Sequence, residues 1–465
     1  MQRSALRLLS AILFWSLMPG MCARAQQSPP TIRHHRIEEP APPSSPPEVD
    51  QAEAAMQRND FTAAEALLQK AVAAKADDYR AWFDLGYVYN ALQRPADAIA
   101  AYRKAVAAKP DVFESNLNLG LLLAKQGDNA EAAKYLKAAT RLKPEAHPEE
   151  SLARAWQALG RVQEASDPHS AIVDFEEAAK LIPNDAGPRL AAASLLRKQG
   201  DLDAAAREYQ AATQIDPHSA EAQSGLTEVL LTQKKFSEAE FALRSQISLD
   251  QQNNIVRAQL AGVLAVEGKN DEAAEELKKA LQSGGSPEMA LQLGTLYVKA
   301  DKDAEAEPWL RRAVAGFDAK LNAQQNADAG VKPQAAEAHL ALGSLLLHEK
   351  KFAEAQQELL VAVRLKPDLA DAYSNLAVAA SSNKQYGLTL RALDVRAKYL
   401  PESAATTFLR ATTYDNLKDI PQAVEYYKRF LVEDAGKFPD QEWQARHRLI
   451  ALDPKHADNY RIKVK

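Results

Sequence analysis

The strongest constraint on this chain is a repeat. Trp82, Leu85, Gly86, Tyr89, Ala98, Tyr102, Ala105 and Pro110 are followed, 34 residues on, by Asn116, Leu119, Gly120, Leu123, Ala132, Leu136, Ala139 and Pro144. A fixed period of this length signals small supersecondary units, none of which buries its apolar face alone. The 465 residues therefore need not divide into two or three separate domains, as length alone would suggest.

The pattern runs on. After an insertion near residues 147–151 come Trp156, Leu159, Gly160, Ala171, Phe175, Ala178 and Pro183. Weaker copies follow at Leu196 to Pro217, Leu226 to Leu243 and Leu260 to Ala280. Leu293, Gly294, Tyr297, Ala306, Leu310 and Ala313 form another. Leu342, Gly343, Leu346, Ala355, Leu359, Ala362 and Pro367 restore a close match, and the series closes with Tyr414, Ala423, Tyr427 and Phe430. With a degenerate first unit around Ala64 and Leu68, about eleven units are present. Abundant Ala, Glu, Lys, Leu and Gln with only 7% aromatics favour helix over strand.

The residue types at the slots carry their own argument. Gly86, Gly120, Gly160, Gly294 and Gly343 sit inside helical patterns, where Gly costs roughly 1 kcal/mol against Ala. A recurrent cost implies a benefit, here the close approach of two helices. Ala98, Ala132, Ala171, Ala205, Ala239, Ala273, Ala306, Ala355 and Ala423 are expected to face those glycines, small against small. Gly127-Asp128 and Gly200-Asp201 mark turns within pairs. Lys-Pro-Asp at 109–111 and 366–368, and Asp-Pro-His-Ser at 216–219, mark turns between them. Proline stops one helix, and Asp or Ser caps the next.

These slots resemble the tetratricopeptide repeat. The resemblance covers residues 45–437 and implies an all-α fold: a right-handed superhelical α-solenoid of helix pairs with a C-terminal capping helix. The expected organisation is a signal peptide over 1–25, a Pro-rich linker over 26–48 and units one to three over 45–146. Units four to eight follow over 152–320, then an inter-repeat insertion over 321–335, units nine to eleven over 336–437, and a capping helix with a tail over 438–465.

The first 25 residues read as a cleavable secretory signal. Arg3 and Arg7 precede a short apolar run from Leu8 to Met18, and Ala23-Arg24-Ala25 is the small-x-small pattern of a cleavage site. The run falls short of the roughly 20 residues that span a bilayer, though an uncleaved anchor is the alternative. Cleavage after Ala25 removes Cys22, the one cysteine, so the mature chain has no disulfide or cysteine metal site. It also takes Arg3, Arg7 and Arg24, moving the formal charge from -5 to -8. A mildly acidic chain without a basic run gives no reason to expect nucleic acid. A periplasmic or secreted location is expected, with no transmembrane span after signal removal.

Catalytic patterns are missing from the sequence. His-Glu at 348–349 lacks the second His of a zinc protease motif, and Gly284-Gly285 lacks the Lys-Ser/Thr of a phosphate loop. His169 and His218 fall in expected turns between pairs, and His339 replaces the aromatic that starts a first helix. No cofactor, metal or catalytic residue is expected. The chain reads as a non-enzymatic scaffold for other proteins; the alternative is an accessory or regulatory subunit of an envelope, secretion or polysaccharide enzyme complex.

In the resembled family the first helix of each pair lines the concave face. That implies a partner-binding groove at Phe83, Tyr87, Asn90, Leu117, Asn118, Leu121, Arg154, Gln157 and Arg161. Some members clamp the C-terminal carboxylate of chaperones with Lys on these helices. Here that slot holds Phe83, Leu117, Gln157, Leu190, Ser224, Ala258, Leu291, Leu340, Ser374 and Phe408, none of them Lys.

Overall fold

The structure is a computed structural model that describes residues 46–323 and 330–460. The expected signal at 1–25, most of the Pro-rich linker and residues 324–329 of the insertion lie outside the described residues. Among the described residues there are 23 α-helices, a closing 3-10 turn and no strand.

The helices pack as tandem antiparallel pairs within two compact units, which divide the described residues between Leu249 and Asp250. The first unit holds α1 (Pro47–Gln57) with α2 (Phe61–Ala74), α3 (Tyr79–Ala91) with α4 (Pro95–Ala108), and α5 (Phe113–Gln126) with α6 (Asn129–Ala139). It continues with α7 (Pro148–Gln163) and α8 (Pro168–Leu181), α9 (Ala186–Gln199) and α10 (Leu202–Ile215), then α11 (Ala220–Thr232) and α12 (Phe236–Leu249). The second holds α13 (Asn254–Val266) with α14 (Asn270–Gln282), α15 (Pro287–Lys299) with α16 (Asp303–Ala323), and α17 (Val331–His348) with α18 (Phe352–Leu365). It ends with α19 (Ala370–Ser382) and α20 (Tyr386–Arg396), α21 (Ala404–Asn416) and α22 (Ile420–Asp434), and a single α23 (Pro439–Leu452) against α22.

Local chemistry sets the boundaries. Asp60, Asp128, Asp201 and Asp419 cap second helices by accepting the backbone N–H three residues on. Ser219 does the same for the first helix α11. Each satisfies a donor that the helix start leaves orphaned. Gly127 and Gly200 end first helices at φ 86° and 85°. Other pairs put Asn59, Gln93, Lys234, Lys350, Lys384 and Lys418 in that left-handed position, with φ between 58° and 65°. The turn shape repeats although its residue does not, and no glycine marks it in those pairs. His169 opens α8, within a pair, so it does not lie between pairs as its sequence context suggested.

The glycine slot works differently from the small-on-small expectation. The Ala slots are fully buried, but the space beside each glycine is filled by the large residue four positions after the alanine. A Cβ on Gly120 would stand 2.6 Å from Leu136 Cγ and 3.2 Å from the Leu136 backbone nitrogen. Gly86 is likewise covered by Tyr102, Gly160 by Phe175, Gly294 by Leu310 and Gly343 by Leu359. The glycine admits a large side chain, and the alanine lets the second helix come close enough to deliver it.

Candidate interaction surface

Three first helices carry the nine residues singled out in the sequence, and packing divides them. Phe83 on α3 is only 2% exposed and sets its ring edge against Tyr102 of α4 at 5.6 Å. Leu117 and Leu121 on α5 are buried in the same cluster, with Tyr102, Leu136 and Leu159. Asn118 is also buried; its amide faces the Tyr102 phenol. Burial pushes that phenol well above its usual range, with the Asp84 charge adding to the effect. These four residues are thus core, a correction to the groove inferred from sequence. Phe83 is buried by Tyr102, and the three on α5 are buried because that helix packs against α4, α6 and α7 at once. Every residue from Phe113 to Leu123 is buried, leaving that stretch of helix no outer face.

The other five keep access to solvent. Tyr87 is partly exposed, its ring 6.2 Å from that of Phe61. Asn90, Arg154 and Gln157 are partly exposed and Arg161 is exposed. Gln157 Nε2 donates to Asp185 Oδ2 at 3.5 Å, reaching from α7 to the residue that caps α9. The accessible set is one aromatic, two amides and two guanidinium groups. Such groups recognise peptide by hydrogen bonds and charge, with Tyr and Arg as the usual energetic anchors.

Polar regularities invisible in the apolar pattern hold the first helices in place. In four pairs the residue at the Trp82 slot reaches back six positions to a backbone carbonyl in the preceding turn. Trp82 Nε1 donates to Ala76 O at 2.9 Å, Asn116 Nδ2 to Pro110 O at 2.9 Å and Arg257 Nε to Gln251 O at 3.2 Å. Gln223 donates to Pro217 O in the same way. Four residue types serve one purpose, so Trp82 is a structural anchor. The slot has a second partner in some pairs, a Glu 19 residues on in the second helix. Arg189 Nη1 donates to Glu208 Oε2 at 2.9 Å, and Arg257 to Glu276 Oε2.

Among the described residues the remaining titratable groups of note are held in structural contacts. Asp174 on α8 is buried, and burial pushes its carboxyl up to about 7 although Lys137 pulls the other way. His348 meets Asp303, His447 stacks on Trp443 at 3.9 Å, and His456 contacts Asp453 at 2.8 Å. Among the described residues no group of three His, Cys, Asp or Glu side chains could hold a metal ion, and no helix is long and apolar enough to cross a membrane.

Comparison with known proteins agrees with the helix pairing. Family models described as tetratricopeptide repeat match residues 49–113, 260–322 and 318–370, then 196–262, then 113–145. Protein O-mannosyl-transferase TMTC3 of Homo sapiens is 24% identical over 335 residues, 69% of this chain and 35% of that protein. The chain thus spans about a third of that relative's length. Among solved structures, MamA is 21% identical, with a TM-score of 0.33 over 37% of this chain and 96% of that one. The APC/C hetero-tetramer Cut9-Hcn1 is 15% identical, with a TM-score of 0.35 over 85% of this chain and 95% of that one. The repeated slots, the tandem helix pairs and the matches along both units lead to one assignment: this chain belongs to the tetratricopeptide repeat family.

Proposed function

We propose that this protein is an interaction scaffold that holds segments of other proteins against the first-helix faces of its N-terminal unit. One observation carries the reading. Across α3 and α7, Tyr87, Asn90, Arg154, Gln157 and Arg161 stay accessible while Phe83, Leu117, Asn118 and Leu121 are spent on the core. Repeat arrays use such extended faces for binding. An aromatic ring, amides and guanidinium groups on the first helices suit a peptide with an acidic residue. The test is the pair Tyr87→Ala with Arg161→Ala. Partner capture should fall by at least about tenfold, as anchor losses of this kind usually give, with helix content and melting temperature unchanged. Undiminished capture by the double variant would move the binding face elsewhere.

The same proposal places the scaffold outside the cytoplasm. It rests on Arg3, Arg7, the apolar run and Ala23-x-Ala25. The mass of the exported protein should correspond to a chain beginning at Gln26. A product retaining Cys22, lipidated or not, would rule out cleavage at this site.

A further inference from the structure

His339 occupies a slot that two other pairs fill with a permanent cation, Arg189 and Arg257. Its ring is buried on α17 between two carboxylates from neighbouring helices. Nδ1 lies 2.6 Å from Glu358 Oε2 on α18, and Nε2 lies 3.3 Å from Asp318 Oδ1 on α16. The Glu358 contact repeats the 19-residue geometry of Arg189 with Glu208 and Arg257 with Glu276. Arginine keeps its charge at any pH a protein meets, but histidine does not. We propose that His339 is a proton-operated clasp: doubly protonated, it ties α16 and α18 to α17, and on losing a proton it releases one of them.

Chemistry sets the direction. An imidazolium donates from both nitrogens and satisfies both carboxylates. A neutral imidazole donates from one nitrogen and turns a lone pair toward the other carboxylate. Burial pulls the imidazole's pKa down, but the hydrogen bond and charge of Glu358, followed by those of Asp318, outweigh it and raise it above the ordinary value. A raised folded-state pKa means the clasp stabilises fully below the ordinary histidine range and is lost as pH rises through the raised value.

Other charged groups on the surrounding helices do not replace these two. Glu288 of α15 is bonded to Lys320 of α16 at 2.7 Å. Glu337 on α17 is pushed up by burial and drawn back by Lys366. Lys299 of α15, Arg364 of α18 and Asp371 of α19 are not among the groups that shift the ring. The clasp sits beside the expected insertion at 321–335, where α16 and α17 run to 21 and 18 residues against 13 or 14 in most other helices. Loosening it would therefore act on the two longest helices among the described residues.

The test is local amide exchange in the full chain between about pH 6 and 9, the span over which histidines lose their proton, corrected for the intrinsic rate. A local readout is needed because burial pushes the Asp174 carboxyl, in the other unit, up to about 7, so its proton loss would alter global stability in the same range. In the unaltered protein, protection over 313–323 and 331–345 should fall several-fold as pH rises, while α21 stays level. His339→Arg should keep protection at every pH, and His339→Gln should be weakly protected throughout. A flat profile in the unaltered protein, or the same fall in His339→Arg, would overturn the proposal. Should a variant fail to fold, the ring resonances of His339 in the unaltered protein decide the matter. They should titrate above the free-histidine range, and titration at or below that range would overturn it.

Discussion

Gly120→Trp should melt the array well below the unaltered protein, while Ala73→Trp on the exposed face of α2 should not. The slot leaves no room even for a methyl group: a Cβ there would meet Leu136 Cγ at 2.6 Å. A flexible leucine could turn aside, but the Leu136 backbone nitrogen at 3.2 Å could not. An indole must therefore push α6 away from α5. The surrounding stretch of α5 is buried from Phe113 to Leu123, so the helix cannot roll to put the ring outside. Overpacking usually costs about 1–3 kcal/mol, and the expected loss lies at or above the top of that range. Ala132→Trp attacks the same contact from α6 and should behave alike. Thermal unfolding followed by circular dichroism measures both. Wild-type melting in both would mean the assigned repeat register is wrong.

A second large effect is expected at the C-terminal end of the 250–465 unit. Arg448 of α23 donates from Nε and Nη2 to both oxygens of Asp415 on α21, each at 2.7 Å, and the Tyr427 hydroxyl donates to Oδ2 at 3.2 Å. Asp415→Ala removes a two-pronged charged bond and leaves a buried phenol without an acceptor. The cost should be about 2–3 kcal/mol, expressed as faster amide exchange over 439–452. Arg448→Lys keeps the charge but loses the fork, and should fall between the two. The Arg448 hydrogen bond holds the Asp415 carboxyl below its usual range despite some burial. Its contribution is present above the ordinary aspartate range and lost as pH falls through the depressed value. Unchanged exchange in Asp415→Ala would show that α23 is held by Ala445 and Leu449 packing alone.

The pairing of helices was legible because its determinants are small, apolar and periodic. Gly86, Ala98 and Pro110 recur at fixed spacing, and each constrains the backbone by itself. What escaped the sequence depends on partners distant along the chain. Asn118 looks polar enough for a surface, yet α5 is enclosed by helices on three sides, so Leu117, Asn118 and Leu121 became core, and Phe83 of α3 packs against Tyr102. Lys234, Lys350, Lys384 and Lys418 occupy left-handed turn positions that glycine signals elsewhere. The slot shared by Trp82, Asn116, Gln223 and Arg257 preserves a bond and changes the residue. Only geometry reveals such a slot. Once it is seen, His339 no longer reads as a plain substitute for an aromatic. It is the titratable member of the Glu-paired subset, whose other two members, Arg189 and Arg257, are arginines.

The most direct test of the scaffold proposal is site-specific photo-crosslinking in the organism that makes the protein. A photoreactive residue at Tyr87, Asn90 or Gln157, all partly exposed on first helices, should capture a discrete partner band. The same residue at Lys104, Lys134 or Lys180, exposed on second helices, should capture none. Capture from Lys104, Lys134 or Lys180 alone would contradict the assignment of binding to the first-helix faces.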